Sequence, residues 1–229
     1  MIPGFDFSAI SPNVLVGCET SGEVRDACRR RGLNAVSCDL LPTKVDGPHY
    51  FGDVRDILHL PWDALVAHPT CTFLCSSGLH WNKRGALVNG RPRAELTEEA
   101  IAFARIFIDG EETAHIPHRI TENPIGCLST RVREPDQIIQ PWQYGADASK
   151  ATCFWLHGVP MLKPTEFVRP RLVVVNDKWA MRWANQTDSG QNNLGPSDDR
   201  WEERSATYPG VAEAIAEALV ASFEARAAA

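Results

Sequence analysis

The sequence lacks long apolar runs, and none approaches the ~20 residues that a helix needs to cross a bilayer. Residues 1–12 also lack the basic start and the apolar core of a secretory signal peptide. These two absences predict a cytoplasmic protein that does not enter a membrane.

Basic residues are not in excess either. The formal net charge is −6 at pH 7, whereas a protein that binds nucleic acid usually carries a basic face. The overall charge therefore weighs mildly against a DNA substrate. Any basic face must be local and offset by acidic residues elsewhere.

The sequence has no Cys-x-x-Cys pair, although it contains seven cysteines: Cys18, Cys28, Cys38, Cys71, Cys75, Cys127 and Cys153. In a reducing compartment most of these are expected to be thiols that pack in the core. A zinc-stabilised binding protein remains an alternative, because zinc tolerates the spacing of four possible ligands: His68, Cys71, Cys75 and His80. Without a Cys-x-x-Cys pair a closed zinc knuckle is not favoured, and no metal is predicted.

What the sequence does contain is an ordinary globular composition, with 44% hydrophobic and 23% charged residues in a chain of 229. This length can bury a large core and predicts a single domain over residues 1–229. Strand-like segments that alternate with helical patterns predict an α/β fold with a doubly wound, Rossmann-like sheet. In residues 130–200 the alternation loosens, which predicts a short insertion.

The first βαβ unit is predicted at the start of the chain. A strand over Asn13–Gly17 leads through a glycine-containing turn into a helix over residues 23–31. A second strand over residues 35–38 then ends at Asp39. A strand end, a tight turn and an acidic residue on the next strand are typical of a nucleotide-binding edge.

The turn of this unit contains Gly17, Cys18, Glu19 and Gly22, which do not have the spacing of a dinucleotide-binding Gly-x-Gly-x-x-Gly. Glycine permits close approach of a ligand, and the following helix N-terminus offers N–H groups to an anion such as a carboxylate. Glu19 would repel a pyrophosphate but attract an ammonium group, and Asp39 can accept hydrogen bonds from ribose hydroxyls. The turn therefore favours S-adenosylmethionine over NAD, and an ordinary βαβ turn without a ligand remains the alternative.

A cysteine follows the fourth predicted strand, over residues 62–66. Cys71 lies just beyond this strand, on a segment that Ser76-Ser77-Gly78 is expected to make flexible as far as about Arg93. A thiol in this position is well placed to attack a bound substrate. Cys71, rather than Cys75, is therefore the predicted nucleophile.

Further acidic side chains are predicted at strand ends. Glu122 ends a strand over residues 119–122, which follows a clear amphipathic helix over residues 94–109. Asp53 lies at the third strand end, where it could accept a hydrogen bond from an exocyclic amine. Because ligands collect at the carboxyl edge of an open α/β sheet, these residues are expected to share one site with Asp39 and Cys71.

The predicted insertion combines tryptophans with basic residues. Between residues 163 and 182 there are five basic and two acidic side chains, and four tryptophans lie in or near this segment: Trp142, Trp155, Trp179 and Trp183. Basic residues between aromatics suit binding of a single strand of nucleic acid, whose bases stack on the aromatic rings and whose phosphates are neutralised by the basic side chains. A small β-insertion with tryptophans in its core fits equally well. A polar, mobile loop over residues 186–199 and a helix over residues 209–223 close the chain.

In their order along the chain, these segments resemble the motifs of DNA cytosine-5 methyltransferases, particularly the short phage-type proteins of that family. Residues 16–22 resemble the glycine-rich cofactor loop, and residues 205–219 resemble the last cofactor motif with its alanine-rich helix. The other similar segments are Asp39, Gly52-Asp53, His68-Pro69-Thr70-Cys71 in place of Pro-Pro-Cys-Gln, and Glu122-Asn123-Pro124 in place of Glu-Asn-Val. The resemblance spans nearly the whole chain.

The resemblance implies an S-adenosylmethionine-dependent methyltransferase fold with a small inserted region, which may be a reduced target-recognition region at residues 130–200. It implies DNA as the partner, S-adenosylmethionine as the cofactor, and Cys71 and Glu122 as catalytic residues. The residues implied to bind the cofactor are Gly17, Cys18, Glu19, Gly22, Asp39, Leu40, Asp53, Val54 and Pro69. Those implied to bind the substrate are Pro69, Thr70, Thr72, Asn123, Pro124 and Lys150. The Gln-x-Arg-x-Arg motif that holds the cytosine O2 in that family is absent, and Lys150, Arg131 or Arg133 are candidates to replace it.

In the implied mechanism the Cys71 thiolate adds to C6 of a cytosine flipped out of the duplex. Protonated Glu122 hydrogen-bonds N3, which requires a raised pKa that burial could supply. The loop over residues 74–93 is expected to close over the base.

Two further functions remain open for the same fold. The segment His68-Pro69-Thr70-Cys71 also distantly resembles the Asp/Asn-Pro-Pro-Tyr of methyltransferases that act on adenine N6 or cytosine N4. In that case Glu122 and Asn123 would have no role. The second alternative is a catalytically silent protein that binds cofactor or DNA.

Overall fold

A computed structural model of the protein describes residues 2, 4–195 and 206–228. The strands, in chain order, are β1 (Asn13–Gly17), β2 (Asn34–Asp39), β3 (His49–Phe51), β4 (Ala64–Ala67), β5 (Leu87–Val88), β6 (Arg91–Pro92), β7 (His118–Pro124), β8 (Gln137–Ile139), β9 (Thr152–His157), β10 (Arg171–Val175) and β11 (Lys178–Arg182). The α-helices are α1 (Glu23–Arg30), α2 (Ser76–Lys83), α3 (Arg93–Ile108), α4 (Leu128–Arg131) and α5 (Pro209–Ala227).

Seven strands form one sheet in the order β3-β2-β1-β4-β7-β9-β8. All neighbouring pairs from β3 to β7 are parallel, whereas β9 runs antiparallel to both β7 and β8. The chain is therefore α/β with a mostly parallel sheet that is compatible with a Rossmann-like fold. This confirms the coarse prediction of the fold class.

Side chains alternate between two helical layers. Val14 and Val16 of β1 pack with α1 and α5 on one face, while Leu15 of β1 packs with Phe107 of α3 on the other. Because both faces are covered, β1 is buried along its whole length and reads as a continuous apolar run. This two-sided burial is why the strand over Asn13–Gly17 could be predicted with its correct bounds.

The order of the sheet reverses between β1 and β4. The chain winds outward from β1 through β2 to β3 and then returns to β4 on the other side of β1. At such a switch point the loops after the two strands diverge and leave a crevice at the carboxyl edge. The backbone N–H of His68, just after β4, donates to the carbonyl of Gly17 at 3.0 Å, which holds the two strand ends together.

The segment over residues 74–93 is not the flexible loop that the sequence predicted. It contains α2 and the short β5–β6 hairpin. The Arg93 guanidinium donates to the Thr72 carbonyl at 2.9 Å and to Asn82 Oδ1 at 2.6 Å, so it ties the turn before α2 and the last turn of α2 to the start of α3. A Cβ at Gly78 would lie 2.6 Å from Arg93 Nη2. The absence of a side chain at Gly78 therefore leaves room for the Arg93 guanidinium and does not make the segment flexible.

Part of the predicted insertion over residues 130–200 belongs to the central sheet. Strands β8 and β9 lie there, and Trp155 of β9 is buried in the core. Among the described residues of this segment, β10 and β11 form a separate two-stranded sheet. The predicted mobile loop and the predicted motif over residues 205–219 both extend into residues 196–205, which lie outside the described part of the chain.

Within residues 2, 4–195 and 206–228, no helix combines the length and the apolar character that crossing a membrane requires.

Two loops of the carboxyl edge are bonded to each other. The Ser76 N–H donates to the Ile125 carbonyl and the Cys127 N–H donates to the Leu74 carbonyl, both at 3.0 Å. Between these bonds Cys75 forms an antiparallel bridge with Gly126. These contacts, which we call the loop clamp (residues 74–76 with 125–127), fix the segment after β4 against the segment after β7.

Substitution of Gly126 by alanine should open the loop clamp, because a Cβ there would lie 2.0 Å from the Leu74 carbonyl oxygen. We expect Gly126→Ala to lower the free energy of unfolding by about 2 kcal/mol or more, as measured by urea denaturation. Gly195→Ala is the control, since nothing lies within 4 Å of its added Cβ, and its effect should stay within about 0.5 kcal/mol. Equal stability of the two variants would contradict the clamp.

Candidate functional site

The candidate site occupies the carboxyl ends of β1, β4 and β7. In the register of β4 and β7, Ala67 lies opposite Thr121, which brings the following residues, His68 and Glu122, next to each other. His68 Nδ1 lies 3.1 Å from Glu122 Oε2, with side-chain exposures of 11% and 13%. A buried imidazole and a buried carboxylate thus form the centre of this edge.

Cys71 lies in a tight turn beside this pair. Its carbonyl accepts hydrogen bonds from the N–H groups of Leu74 at 2.9 Å and Cys75 at 3.1 Å, so Cys75 follows it by one helical turn. A hydrogen bond from the Cys75 thiol is the main cause that lowers the pKa of Cys71 to about 7, although burial and the Glu122 charge oppose it. The lowered pKa favours the thiolate of Cys71, which is the reactive form of cysteine.

The sequence predicted a raised pKa for Glu122, and the structure gives the opposite direction. Burial is the largest single influence and raises the pKa of this carboxyl group. The hydrogen bond from His68, the His68 charge and the Lys150 charge together outweigh burial and lower the pKa below its ordinary value. Glu122 is therefore ionised in the free protein.

Asn123 and Pro69 join the two strand ends behind the pair. Asn123 is 1% exposed and its Nδ2 donates to the Pro69 carbonyl at 2.7 Å. Its Oδ1 is buried and has no hydrogen-bond partner within the described residues. Pro124 ends β7 opposite Thr152 of β9.

Thr70 and Thr72, on either side of Cys71, are exposed. The Thr72 carbonyl is held by Arg93. Their side chains therefore form the outer rim of the turn that carries the thiol.

Lys150 is the cation that acts on this cluster. Its charge lowers the pKa of both Cys71 and Glu122, and its Nζ donates to the Ala206 carbonyl at 3.4 Å. The two other candidates for the missing arginine motif are engaged elsewhere, Arg131 with Glu98 and Arg133 with Asp136. Of the three, Lys150 is the one whose charge acts on both predicted catalytic residues.

The turn after β1 is arranged differently from the sequence expectation. Glu19 is 5% exposed, and its carboxylate accepts from the N–H groups of Val24 at 2.7 Å and Arg25 at 3.3 Å. The first amides of α1 are thus capped from within the chain and are not free for a ligand's carboxylate. Burial raises the pKa of Glu19, and the charge of His68 is the main opposing influence.

Glycine is required at two positions in this turn. A Cβ at Gly17 would lie 3.0 Å from Cγ2 of Val54, which is buried. Gly22, at the start of α1, has a φ of +74°, a conformation that favours glycine. Cys18 also adopts a positive φ of 60°, and burial raises the pKa of its thiol.

The acidic residues predicted for ribose and adenine surround the end of β1. The charges of Asp39 and Asp53 both raise the pKa of Cys18, which shows that they lie near it. Asp39 accepts from the Leu41 N–H at 2.9 Å, and burial raises its pKa. Two large apolar side chains flank these acids and are about two-thirds exposed: Leu40 at 68% and Phe51 at 67%.

Asp53 is not a free acceptor. Both of its carboxylate oxygens bind the Arg55 guanidinium, which lowers the pKa of Asp53. A ligand amine at Asp53 therefore has to compete with Arg55.

The β10–β11 hairpin carries an exposed apolar face. Asn176 and Asp177 form its turn, both with positive φ, as a two-residue type I′ turn requires. The register pairs Leu172 with Met181 and Val174 with Trp179. These four side chains, which we call the hairpin face, are each 57–73% exposed.

The structure therefore separates the tryptophans that the sequence grouped together. Trp179 lies on the surface, Trp155 in the central core, and Trp183 stacks on Trp142 at 5.4 Å. Asn185, at the base of the hairpin, bonds twice with Ser149, the neighbour of Lys150. The hairpin is thus anchored beside the cluster.

Metal binding gains no support from this geometry. Within the described residues, no group of three or more His, Cys, Asp or Glu side chains could hold a metal ion. The alternative zinc set of His68, Cys71, Cys75 and His80 therefore does not assemble.

Comparison with protein-family models gave no match, and comparison with curated proteins gave none either.

Sequence reasoning overlooked the pairing of His68 with Glu122 and the contact of Cys75 with Cys71. The first depends on the register between β4 and β7, which no local pattern encodes. The second had a signal, because side chains four residues apart meet when the segment turns like a helix.

Loss of the Cys75 thiol should raise the pKa of Cys71, because its hydrogen bond is the main cause that lowers it. We expect the midpoint of alkylation of Cys71 by iodoacetamide to move upward from about 7 in Cys75→Ala. The Cys71→Ala protein gives the background from the other thiols, and Cys127→Ala serves as a matched control with an unchanged midpoint. An unchanged midpoint in Cys75→Ala would show that another group activates Cys71.

Proposed function

We propose that this protein is an S-adenosylmethionine-dependent DNA methyltransferase that forms 5-methylcytosine through a covalent bond between Cys71 and C6. One observation carries this proposal. A thiol with a pKa of about 7 lies beside a buried carboxylate at the switch point of a mostly parallel sheet. Addition to C6 of cytosine needs such a nucleophile together with a group that stabilises the ring charge.

The reaction assigns a role to each side chain of the cluster. The Cys71 thiolate forms a bond to C6 while the C5–C6 double bond shifts its electrons into the ring, and Glu122 as an acid meets N3. Bound S-adenosylmethionine supplies the methyl group that C5 receives. A base then removes the C5 proton, the C5–C6 double bond reforms, and Cys71 leaves as a thiolate.

Lys150 supports this chemistry through its charge. It favours the thiolate of Cys71 before addition. The Lys150 ammonium group can also donate a hydrogen bond to the cytosine O2, in place of the absent arginine motif.

The turn after β1 fits an adenosyl cofactor better than a dinucleotide. A dinucleotide places its pyrophosphate on the helix N-terminus, but in this protein Glu19 already caps the first amides of α1. In the proposed complex Asp39 accepts hydrogen bonds from the ribose hydroxyls, and the exposed side chains of Leu40 and Phe51 offer apolar surface to the adenine ring.

DNA is the partner that fits the hairpin. The hairpin face presents Trp179 to solvent, and the anchored base of the hairpin adjoins Lys150. Exposed aromatic side chains stack on bases without regard to sequence. A target cytosine has to leave its stack to reach Cys71, at a cost of a few kcal/mol.

Replacement of Cys71 by alanine should abolish methyl transfer, because the other thiol on which the Glu122 charge acts, Cys153, is buried and has a raised pKa. The measurement is transfer of labelled methyl groups to cytosine-containing DNA, followed by mass analysis of the nucleosides. Cys127→Ala should keep the wild-type rate. An undiminished rate in Cys71→Ala would exclude the covalent mechanism, and a product methylated at N4 of cytosine or N6 of adenine would favour an amino methyltransferase.

Removal of the Trp179 ring should weaken binding of DNA, because stacking on an aromatic side chain contributes about 1–3 kcal/mol per base. We expect Trp179→Ala to raise the dissociation constant of a cytosine-containing oligonucleotide by about 5- to 150-fold. Fluorescence anisotropy at a fixed salt concentration measures this. Ile10→Ala is the control, at a fully exposed apolar residue outside the hairpin, and it should bind DNA with wild-type affinity. Equal affinity of the two variants would show that DNA does not bind the hairpin face.

A further inference from the structure

The proposed reaction needs Glu122 as an acid, but the free protein holds it as a carboxylate. Three influences act on this side chain: burial favours the acid, while His68 and Lys150 favour the anion and prevail. The proton that meets cytosine N3 must therefore reach Glu122 after the site has formed. A donor already in contact with the carboxylate would supply it without access from solvent.

His68 is that contact. Its Nδ1 lies 3.1 Å from Glu122 Oε2, and both side chains are almost nine-tenths buried. The hydrogen bond between the His68 N–H and the Gly17 carbonyl fixes its backbone, so the imidazole has a defined place between β1 and β7. Its second ring nitrogen, Nε2, is buried without a hydrogen-bond partner within the described residues.

We infer that His68 and Glu122 hold one proton between them, and that His68 delivers it to Glu122 when cytosine binds. This inference rests on the proposed function. His68 acts through Glu122 and is therefore a positioning residue, not a group that touches the base.

The transfer balances within the pair. The Nδ1–H bond of the imidazolium breaks and its electron pair stays on the ring, while a new O–H bond forms on the Glu122 carboxylate. The pair changes from imidazolium and carboxylate to imidazole and carboxylic acid, so its net charge does not change. Because the ion pair becomes two neutral groups, the transfer leaves no unpaired charge in the buried site and adds no desolvation cost.

The groups around the pair come from three other segments. Glu19 after β1 faces the imidazole, and the charge of His68 opposes the effect of burial on its pKa. Cys71 after β4, Lys150 before β9 and Cys153 of β9 interact with the Glu122 side, and burial raises the pKa of Cys153. Ionisation of Cys71, with a pKa of about 7, governs the acidic limb of the rate profile. Loss of the shared proton governs the alkaline limb.

The test compares His68→Gln with the wild-type protein across pH. A glutamine amide can still donate a hydrogen bond to Glu122 but carries no transferable proton. We expect the methyl-transfer rate at pH 8 to fall by about 100-fold. The loss should be clearly smaller at pH 6, so the alkaline limb moves to lower pH. His59→Gln, at an exposed histidine outside the site, should leave the profile unchanged.

A second comparison uses the Glu122→Gln background, in which an amide offers N3 a hydrogen without a proton from His68. In that background His68→Gln should reduce the remaining rate less than about threefold, since coupled residues are non-additive. An unmoved alkaline limb, or an equal loss in both backgrounds, would reduce His68 to a structural role and overturn the inference.

A third measurement does not depend on activity. The carboxyl ¹³C resonance of Glu122 should titrate below the usual glutamate range in the free wild-type protein and move upward in His68→Gln. If it does so while DNA receives no methyl group, the proton-sharing pair stands and the proposed function fails. If methylation occurs and the resonance does not move, the function stands and the inference fails.

Discussion

The pairing of β4 between β1 and β7 is the constraint on which the rest of the site depends. All four residues of β4 are buried, and its parallel neighbours fix where it ends relative to Gly17 and Glu122. Because side chains alternate along a strand, a slip of one residue would turn His68 and Glu122 toward opposite faces. The apolar pattern of β4 thus specifies packing and, through the register, the position of the ionisable pair.

Charge compensation makes this buried edge tolerable. Glu19 and Glu122 are carboxyl groups with little exposure to solvent, and on each the charge of His68 acts against the effect of burial, while Lys150 adds to the effect on Glu122. Removal of one member leaves an uncompensated buried charge, which costs more than the pair contributes. The same arrangement places a thiol of lowered pKa beside a carboxylate of lowered pKa, and the Lys150 charge favours the ionised form of both. Ionisable groups whose pKa values are shifted by specific partners are typical of functional sites.

Much of the fold could be predicted from the sequence because strands buried on both faces have a strong local signature. β1 was predicted with its correct bounds, and β2, α1 and α3 to within one or two residues at each end. The placement of Asp39, Cys71 and Glu122 on one edge followed from parallel strands. The partner of Glu122, the capping role of Glu19 and the helix at Ser76–Lys83 did not follow. Each depends on contacts between distant segments, such as Arg93 with Thr72, which composition and periodicity do not encode.

The loop clamp has a consequence for how the site meets its substrate. The segment after Cys71 and the segment after Glu122 are hydrogen-bonded to each other, so they form one unit rather than two parts that move independently. Cys71 and Glu122 are thus held in register before any ligand arrives, and their ordering is completed during folding. In the proposed reaction, most of the distortion needed for the reactive complex then falls on the nucleic acid. A base that is already unpaired would enter more readily than one held in a regular duplex.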